Sequence, residues 1–450
     1  MSEVDAIDVR HPEQSATPSI RPPERSEAEP KDLPSSDGGT NASGQAQRSI
    51  QPRRAILHMP EYHPPLAGRD SALRLDFNEN THAPSPRVRE ALGRLSLESF
   101  TIYPERAPVE AAVAKHLGLQ PEQLLLTNAV DEAIHIVCFT FLEEGDECLF
   151  AVPSFFMYDV NTLAMGAKAI RIQADETLSF PYERLLAAIT PKTKLIILCS
   201  PNNPTGGTIS REQIHSIAQA APHAVVMVDE AYFHFFGETV MDDLIARHPD
   251  SELAEEEGSL QTSGATTHPA HSGHQIPQNM IVARTFSKAY GLANLRVGLL
   301  AGTAHLMQHM RKACSPYNVN GVALAAVAAS IDDTEYIDWY VDQIKTGRAR
   351  IEKALDNMRV PHWPSHANFV LTHIGPRHKE LVDAMRARGV LLRDRSSDPG
   401  LDGCVRITVG VEDQVDTGIA ALRDSLAAMG WTPAEVNKPE QQPKEAPEYE

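Results

Sequence analysis

The sequence predicts an α/β protein in which a large domain with a mainly parallel sheet precedes a smaller α/β C-terminal domain. Short apolar runs with the length of buried strands alternate with segments of helical periodicity, and beyond residue 321 the pattern becomes helix-rich. Strands that alternate with helices imply right-handed crossovers and a parallel sheet with helices on both faces. The predicted strands of the large sheet are residues 147–151, 194–199, 224–228, 280–283 and 297–301.

Helical periodicity surrounds these runs. Residues 131–142 place Ile134, Val137, Cys138 and Phe141 on one face of a predicted helix. Further helices are predicted at 211–220, 322–331 and 336–357, and a new strand begins the C-terminal part at 368–371. We therefore predict an N-terminal arm with part of the small domain at 53–102, the large domain at 103–330 and the small domain at 331–430.

Three segments have a composition typical of disorder. Residues 1–52 and 431–450 contain many Pro, Ser, Gly, Gln and Glu residues, which cannot bury enough apolar surface to offset their ordering entropy. Residues 249–277 are acidic and then rich in Ser, Thr, His and Gly, so we expect a flexible surface insertion there. Its regularly spaced histidines raise the alternative of a metal site, but their Gly, Ser and Pro neighbours favour a loop without metal. These histidines are His268, His271 and His274.

Charge and composition exclude several classes of function. The formal net charge of −19 argues against nucleic acid or anionic membrane as a partner. The sequence has no long apolar run and no apolar core near its acidic N-terminus, so we expect neither a membrane span nor a secretory signal. Five scattered cysteines fit a reducing compartment, and we expect a cytoplasmic protein.

Chemically active side chains follow three of the predicted strands. The strand that ends at Cys199 leads to Asn203, the strand that ends at Val228 leads to Asp229 and Tyr232, and the strand at 280–283 leads to Lys288. In open α/β sheets, ligands bind beyond the carboxyl ends of the strands. We therefore expect an amide, a carboxylate, a phenol and an amine along one sheet edge.

This set of groups matches the needs of pyridoxal 5′-phosphate. The cofactor needs an amine that holds it as a Schiff base, and Lys288 would supply it if burial and nearby positive charge lower its pKa. It also needs an acid opposite the pyridine nitrogen, for which Asp229 is the candidate. Asn203 and Tyr232 are the candidate donors to the ring oxygen, and Ser287 and Arg296 are the candidate phosphate ligands.

With these residues the sequence resembles the fold-type I pyridoxal-phosphate enzymes, and within them it is similar to the histidinol-phosphate aminotransferase family over residues 56–428. Residues 75–80 (Leu-Asp-Phe-Asn-Glu-Asn) are similar to an N-terminal signature of that family, and Tyr62 with Pro64 matches its upstream Tyr-x-Pro. Residues 405–410 (Val-Arg-Ile-Thr-Val-Gly) are close to its C-terminal motif, and Arg296 keeps the family spacing of eight residues from the lysine.

The resemblance implies further cofactor ligands and an oligomeric state. It implies that Phe155 stacks on the pyridine ring and that backbone N–H groups at Val130 and Asp131 bind the phosphate where a helix begins. It also implies that Tyr103 reaches the phosphate in the neighbouring subunit, so a homodimer is expected. Two departures stand out, because Ala129 and Val130 replace the family's Gly-Ser or Gly-Ala pair and Phe155 replaces a tyrosine.

For the substrate, the resemblance implies that Tyr62, Asn80, Arg393 and Arg406 form the binding site. Arg406 lies in an apolar strand, where an unpaired charge is costly, so a bound anion is expected there. Arg393 lies among charged neighbours, and a surface salt-bridge cluster is the alternative for it.

The implied reaction is transamination between L-histidinol phosphate and 2-oxoglutarate, a step of histidine biosynthesis, with Lys288 as the catalytic residue. Two alternatives keep the fold and change the chemistry: a threonine-phosphate decarboxylase and an aromatic amino acid aminotransferase. A third is a regulator with an aminotransferase-like sensor domain. Residues 1–52 are too short and too polar for a DNA-binding domain, which argues against the regulator.

Overall fold

The computed structural model describes residues 50–57, 59, 68–245 and 277–435. Most of the predicted tails, the 249–277 insertion except its last residue, its three histidines and Tyr62 lie outside this part of the chain. The described residues from Pro52 onward belong to one compact unit. The predicted boundary between a large and a small domain therefore stays a prediction.

Seven strands form a mainly parallel sheet in the order β2-β8-β7-β6-β5-β3-β4. Only β8 runs antiparallel, and it does so to both of its neighbours. This confirms the predicted α/β class and all five predicted strands, each to within about two residues. The strands are β2 (Leu124–Thr127), β3 (Glu147–Val152), β4 (Lys168–Gln173), β5 (Thr193–Cys199), β6 (Val225–Asp229), β7 (Met280–Thr285) and β8 (Gly298–Gly302).

Two edge strands of this sheet were not predicted. The β2 strand is apolar and buried but only four residues long, and β4 carries charged residues and is partly exposed. The central strands β5, β6 and β7 are longer and almost entirely buried. A central parallel strand is covered on both faces, which is why its sequence is apolar throughout.

A second sheet of four strands has the order β1-β10-β11-β9. Its first strand pairs in parallel with β10, so the chain near residue 74 is joined to the C-terminal part. The other two pairings are antiparallel. The four strands are β1 (Leu73–Leu75), β9 (Phe369–His373), β10 (Val390–Asp394) and β11 (Cys404–Thr408).

Helices cover the two sheets and begin at recognisable signals. Ser210 accepts from the N–H of Gln213, whose side chain accepts from the N–H of Ser210, a capping box. Of the described helices, none is long and apolar enough to span a membrane. The helices are α1 (Arg54–Leu57), α2 (Pro86–Gly93), α3 (Ala107–His116), α4 (Ala129–Phe141), α5 (Met157–Ala164), α6 (Tyr182–Ala187), α7 (Arg211–Ala220), α8 (Asp242–Ile245), α9 (Ala304–Ala313), α10 (Gly321–Ser330), α11 (Thr334–Met358), α12 (His378–Ala387) and α13 (Glu412–Met429).

The C-terminal fold extends further than the composition indicated. Trp431, the first residue of the predicted tail, is buried and donates its indole N–H to the carbonyl of Ile374 at 3.0 Å. A single aromatic residue among polar neighbours is a weak signal in sequence, and tertiary contact decides its burial.

Candidate active site

The carboxyl ends of β5, β6 and β7 lie side by side. Cys199 pairs with Asp229, and Asp229 pairs with Ala283 on the next strand. The segments that follow these strands therefore begin at the same edge of the sheet, as the sequence predicted. They carry Asn203, Tyr232 and Lys288.

Asp229 is a buried carboxylate held from two directions. The hydroxyl of Tyr158 donates to Oδ2 at 2.7 Å, and the N–H of Ala231 donates to Oδ1 at 3.0 Å. Burial raises the pKa of Asp229 to about 6, and both hydrogen bonds oppose that rise. Phe155 meets Tyr158 edge to face with ring centres 5.8 Å apart, so the predicted stacking residue lies next to this carboxylate's partner.

Lys288 is partly buried and has a perturbed amine. Its Nζ donates to the carbonyl of Phe77 at 3.2 Å and lies 5.7 Å from the centre of the Tyr232 ring. Burial, followed by the positive charge of Arg406, lowers the pKa of Lys288 to about 8. A larger fraction of this amine than of an ordinary lysine is therefore neutral near physiological pH, which favours a nucleophilic or proton-transferring role.

Asn78 orients the phenol of Tyr232. The Asn78 side chain donates to the Tyr232 hydroxyl at 3.0 Å, and its Oδ1 accepts from Thr408 at 3.1 Å. Its backbone has φ of 55°, in the left-handed region that few non-glycine residues adopt. Asparagine tolerates this region better than most residues, and the network fixes the phenol's position.

A helix N-terminus completes one side of the site. The α4 helix begins at Ala129, so the N–H groups of Val130 and Asp131 have no intrahelical acceptor. Such groups bind phosphates without needing a particular side chain. Ala129 itself has φ of 60°, so the alanine that replaces the family's glycine occupies a conformation that glycine adopts at lower cost.

The predicted phosphate ligands lie around this helix start. Arg296 forms an ion pair with Asp131 at 2.7 Å, and both side chains are nearly half exposed. Ser287 is buried, and its hydroxyl accepts from Thr285 at 2.9 Å. Asp131 and Arg296 both influence the pKa of Lys288, which places the helix start and the lysine within electrostatic reach of each other.

Arg406 is a buried guanidinium without an ion-pair partner among the described residues. It donates to the side chain of Asn203 and to the carbonyl of Asp76, the latter at 2.7 Å. Its Nε is buried and has no hydrogen-bond partner in the described part of the chain. Burial, followed by the charge of Arg395, lowers the pKa of Arg406 to about 9. A buried, unpaired cation is expensive unless an anion binds beside it.

Arg393 lies directly across the strand pair from Arg406. Its guanidinium carbon is 5.2 Å from the centre of the Phe77 ring, and that of Arg69 is 4.2 Å from the same ring. The carbonyl of Phe77 accepts from Lys288, so Arg393 and Lys288 both lie next to Phe77. The Arg393 side chain is partly buried, and its role as a substrate ligand stays a prediction.

Two predicted residues do not join this group within the described chain. Tyr103 is 78% exposed and stacks on Tyr317 with ring centres 4.4 Å apart. Asn80 is buried and donates to the carbonyl of Ala289, one residue after Lys288, at 3.3 Å. This hydrogen bond holds the backbone next to Lys288. The role of Asn80 in substrate binding stays a prediction.

Sequence reasoning did not single out Tyr158, Asn78 or Gly298. Gly298 lies under the start of α4, where a Cβ atom would come within 2.8 Å of the Ala129 carbonyl carbon and 3.0 Å of the Val130 nitrogen. Asn78 lies within the motif at residues 75–80, and Tyr158 lies three residues after Phe155. Their partners Asp229 and Tyr232 are 71 and 154 residues away, so only the fold identifies the contacts.

These groups fit pyridoxal phosphate. A buried carboxylate, an amine with a lowered pKa, a phenol and free helix N–H groups meet at one sheet edge, each suited to one part of that cofactor. The backbone of α4 at Ala129 and Val130 packs closely against Gly298.

Comparison with known proteins agrees with this geometry. Residues 70–422 match the model of the aminotransferase class I and II family. The chain is 32% identical over 362 residues to a histidinol-phosphate aminotransferase of Caldanaerobacter subterraneus subsp. tengcongensis, covering 79% of this chain and 93% of that protein. It is also 32% identical over 358 residues to histidinol-phosphate aminotransferase 2 of Methylococcus capsulatus, covering 78% and 89%.

A solved structure supports the same fold. The histidinol-phosphate aminotransferase of Sinorhizobium meliloti, in complex with pyridoxal-5′-phosphate, superposes with a TM-score of 0.69 at 24% identity. The superposition covers 86% of this chain and 99% of that one. The chain therefore belongs to the aminotransferase class I and II family and is a fold-type I aminotransferase.

Proposed function

We propose that this aminotransferase uses pyridoxal phosphate to transfer the amino group of L-histidinol phosphate to 2-oxoglutarate. The observation that carries the proposal is Arg406, a buried cation with no carboxylate partner among the described residues, close enough to Lys288 to lower its pKa. An anionic substrate end bound there brings the substrate's amine toward the lysine. The names of the curated relatives support the same substrate.

The chain's own residues would hold the cofactor in three places. The α4 N-terminus with Ser287 and Arg296 suits its phosphate, Asp229 its pyridine nitrogen, and Asn203 and Tyr232 its ring oxygen. Bound in this way, the cofactor withdraws electrons from the substrate's α-carbon. Asp229 favours that withdrawal because a carboxylate stabilises a protonated pyridine nitrogen.

Lys288 would serve as the proton carrier. With a pKa of about 8, its amine can accept a proton from the substrate's α-carbon and return it as an acid at neutral pH. The Phe77 carbonyl orients the free amine, and Asn80 holds the next residue's backbone. The surrounding burial excludes water that would compete for the proton.

The test is a pair of half-reactions on the holoenzyme. Adding L-histidinol phosphate should change the absorbance of the bound cofactor, adding 2-oxoglutarate should restore it, and imidazole-acetol phosphate and glutamate should be recovered. The Lys288→Ala variant should show neither the absorbance changes nor the products. Normal turnover in that variant would refute the assignment of the lysine.

Product analysis separates the remaining alternatives. Release of carbon dioxide from threonine phosphate would indicate the decarboxylase, which the spectra alone do not distinguish. Faster conversion of phenylalanine or tyrosine than of L-histidinol phosphate would indicate the aromatic aminotransferase.

We further infer a homodimer in which Tyr103 of each subunit contributes to the other's site. Leu97, Phe100 and Ile102 lie close in sequence to Tyr103 and are 63–82% exposed. Exposed apolar side chains grouped in this way typically mark an interface. A cytoplasmic location, and the expectation of neither nucleic-acid nor membrane partners, rest on composition and charge alone.

A further inference from the structure

A third arginine lies beside the two that the family resemblance identified. Arg393 of β10 and Arg406 of β11 are register partners in the antiparallel strand pair. The backbone N–H of Arg395 donates to the carbonyl of Cys404, so the same register continues to Arg395. Side chains alternate between the two faces of a strand, so Arg393, Arg395 and Arg406 share a face. Asp394, between them, points the other way and contacts His378 of α12.

Arg395 is oriented by one carboxylate and keeps unused donors. It forms an ion pair with Asp398, three residues later, and its side chain is only 13% exposed. Its Nε is buried without a hydrogen-bond partner in the described residues, as is the Nε of Arg406. A guanidinium carries five N–H donors, so the single ion pair leaves most of them available.

The three guanidinium groups are electrostatically coupled. Arg395 is the charge that most strongly lowers the pKa of Arg406, and Arg393 adds to this effect. Asp398 interacts favourably with all three, which partly offsets their repulsion. Three cations on one face form a site suited to an anion with more than one charge.

We propose that Arg395, positioned by Asp398, is the specificity residue that makes this site prefer a phosphate monoester over a carboxylate. The inference rests on the proposed function, in which the same site accepts a phosphorylated amine in one half-reaction and a carboxylate substrate in the other. A carboxylate has two oxygens, which the forks of Arg393 and Arg406 can satisfy. A phosphate monoester has three terminal oxygens in a tetrahedral arrangement, and Arg395 supplies donors for the third.

The experiment compares two amino donors on holoenzyme variants. Arg395→Gln leaves Asp398 buried without its cation, so a double variant, Arg395→Gln with Asp398→Asn, removes both charges and keeps the fold. In the double variant kcat/KM for L-histidinol phosphate should fall about 10- to 100-fold, the range for losing a hydrogen bond to a charged group. The kcat/KM for L-glutamate should fall by a much smaller factor, because Arg393 and Arg406 remain to bind its carboxylate. In the single variant the loss for the phosphorylated donor should be larger, because the remaining carboxylate repels the phosphate.

One further measurement tests the role of Arg395 separately from the proposed function. Inorganic phosphate, titrated into the holoenzyme by calorimetry, should bind more weakly to the double variant than to Arg423→Gln, an exposed control on α13. Equal losses for both donors, or no loss of phosphate binding, would overturn the role of Arg395. If the unsubstituted enzyme converts no L-histidinol phosphate, the proposed function fails, and the calorimetry still decides whether Arg395 binds phosphate.

Discussion

Asp229 and its partner Tyr158 illustrate how one hydrogen bond sets the state of a catalytic site. Burial raises the pKa of the Asp229 carboxyl to about 6, and the Tyr158 hydroxyl at 2.7 Å is the strongest opposing contribution. The carboxylate must stay ionised to stabilise a protonated pyridine nitrogen. We therefore expect Tyr158 to act as a positioning residue through Asp229, and its ring also contacts Phe155 edge to face.

Tyr158→Phe should lower kcat, and by more at pH 6 than at pH 8. Loss of the donor raises the pKa of Asp229 further, so a larger fraction of the carboxyl is protonated as the pH falls. The measurement is the pH profile of kcat together with a pH titration of the bound cofactor's absorbance. Tyr182→Phe is the matched control, because that hydroxyl donates to Ser216 instead. A profile identical to that of the unsubstituted enzyme would rule out the role given to Tyr158.

Lys288 should attach the cofactor at a rate that rises with pH through about 8 and then levels off. Only the neutral amine is a nucleophile, and burial with the nearby Arg406 charge lowers the pKa to about 8. The measurement is the rate of pyridoxal-phosphate uptake by the apoenzyme between pH 6 and pH 10, followed by absorbance. A rate that is still rising at pH 10 would show an unperturbed lysine.

At the scale of elements, the contact of β8 with α4 fixes the position of the helix start that is the candidate phosphate site. The backbone of α4 at Ala129 and Val130 approaches Gly298 so closely that no side chain fits between them. The register of β8 with β7 pairs Gly298 with Thr285, two residues before Ser287. Gly298 therefore lies between the start of α4 and the strand that leads to Ser287 and Lys288.

Gly298→Ala should weaken cofactor binding and destabilise the protein by about 1–3 kcal/mol, the usual cost of overpacking. The added Cβ meets backbone atoms at 2.8 Å, and these cannot move without displacing the start of α4. Gly302→Ala, on the same strand, is the control, since its nearest neighbour is the flexible Met307 sulfur at 3.4 Å. Calorimetric Tm and the pyridoxal-phosphate Kd measure the two effects. Equal behaviour of both variants would contradict the steric argument.

The central strands and the long helix α11 are among the elements whose positions the sequence predicted. Strands β5, β6 and β7 lie in the sheet centre and were predicted from their apolar sequences. The edge strands β2 and β4 were missed, because an edge strand is short or half-solvated and its sequence resembles other segments. The long helix α11 was predicted to within two residues, because its apolar stripe recurs over 25 residues.

At the scale of the whole molecule, the proposed role of Tyr103 requires a homodimer. It lies in an exposed aromatic pair with Tyr317 and contacts none of the cofactor candidates in the described chain. If it serves the partner's site, then each site needs Lys288 from one subunit and Tyr103 from the other. This geometry permits a direct test by complementation.

Mixing Tyr103→Ala with Lys288→Ala chains should restore activity that neither variant has alone. A heterodimer contains one site with both residues intact and one with neither. The measurement is turnover after the two chains are unfolded, mixed and refolded, with each variant treated alone as the control. Absence of any gain would show that Tyr103 does not act across an interface.

Deleting residues 1–50 should leave kcat and KM unchanged. The segment has the composition of a chain without a packed core, and the compact unit begins at Pro52. Steady-state kinetics and the Tm of the truncated protein are the measurements. A large loss of turnover with an unchanged Tm would assign the segment a part in catalysis.

The amino-acid sequence by itself determined the fold class, the central strands and the residues at their carboxyl ends. These follow from local patterns, since apolar periodicity and short motifs are properties of neighbouring residues. The family resemblance added Phe155, Tyr103 and the two arginines as expected ligands.

Only the tertiary structure decided which groups act on one another. Tyr158 with Asp229, Asn78 with Tyr232, Gly298 with α4 and Arg395 with Arg406 are partners that the sequence does not reveal. The physical reason is that pKa shifts, close packing and unpaired donors depend on distance in space and on burial. Both are set when the sheets and helices come together.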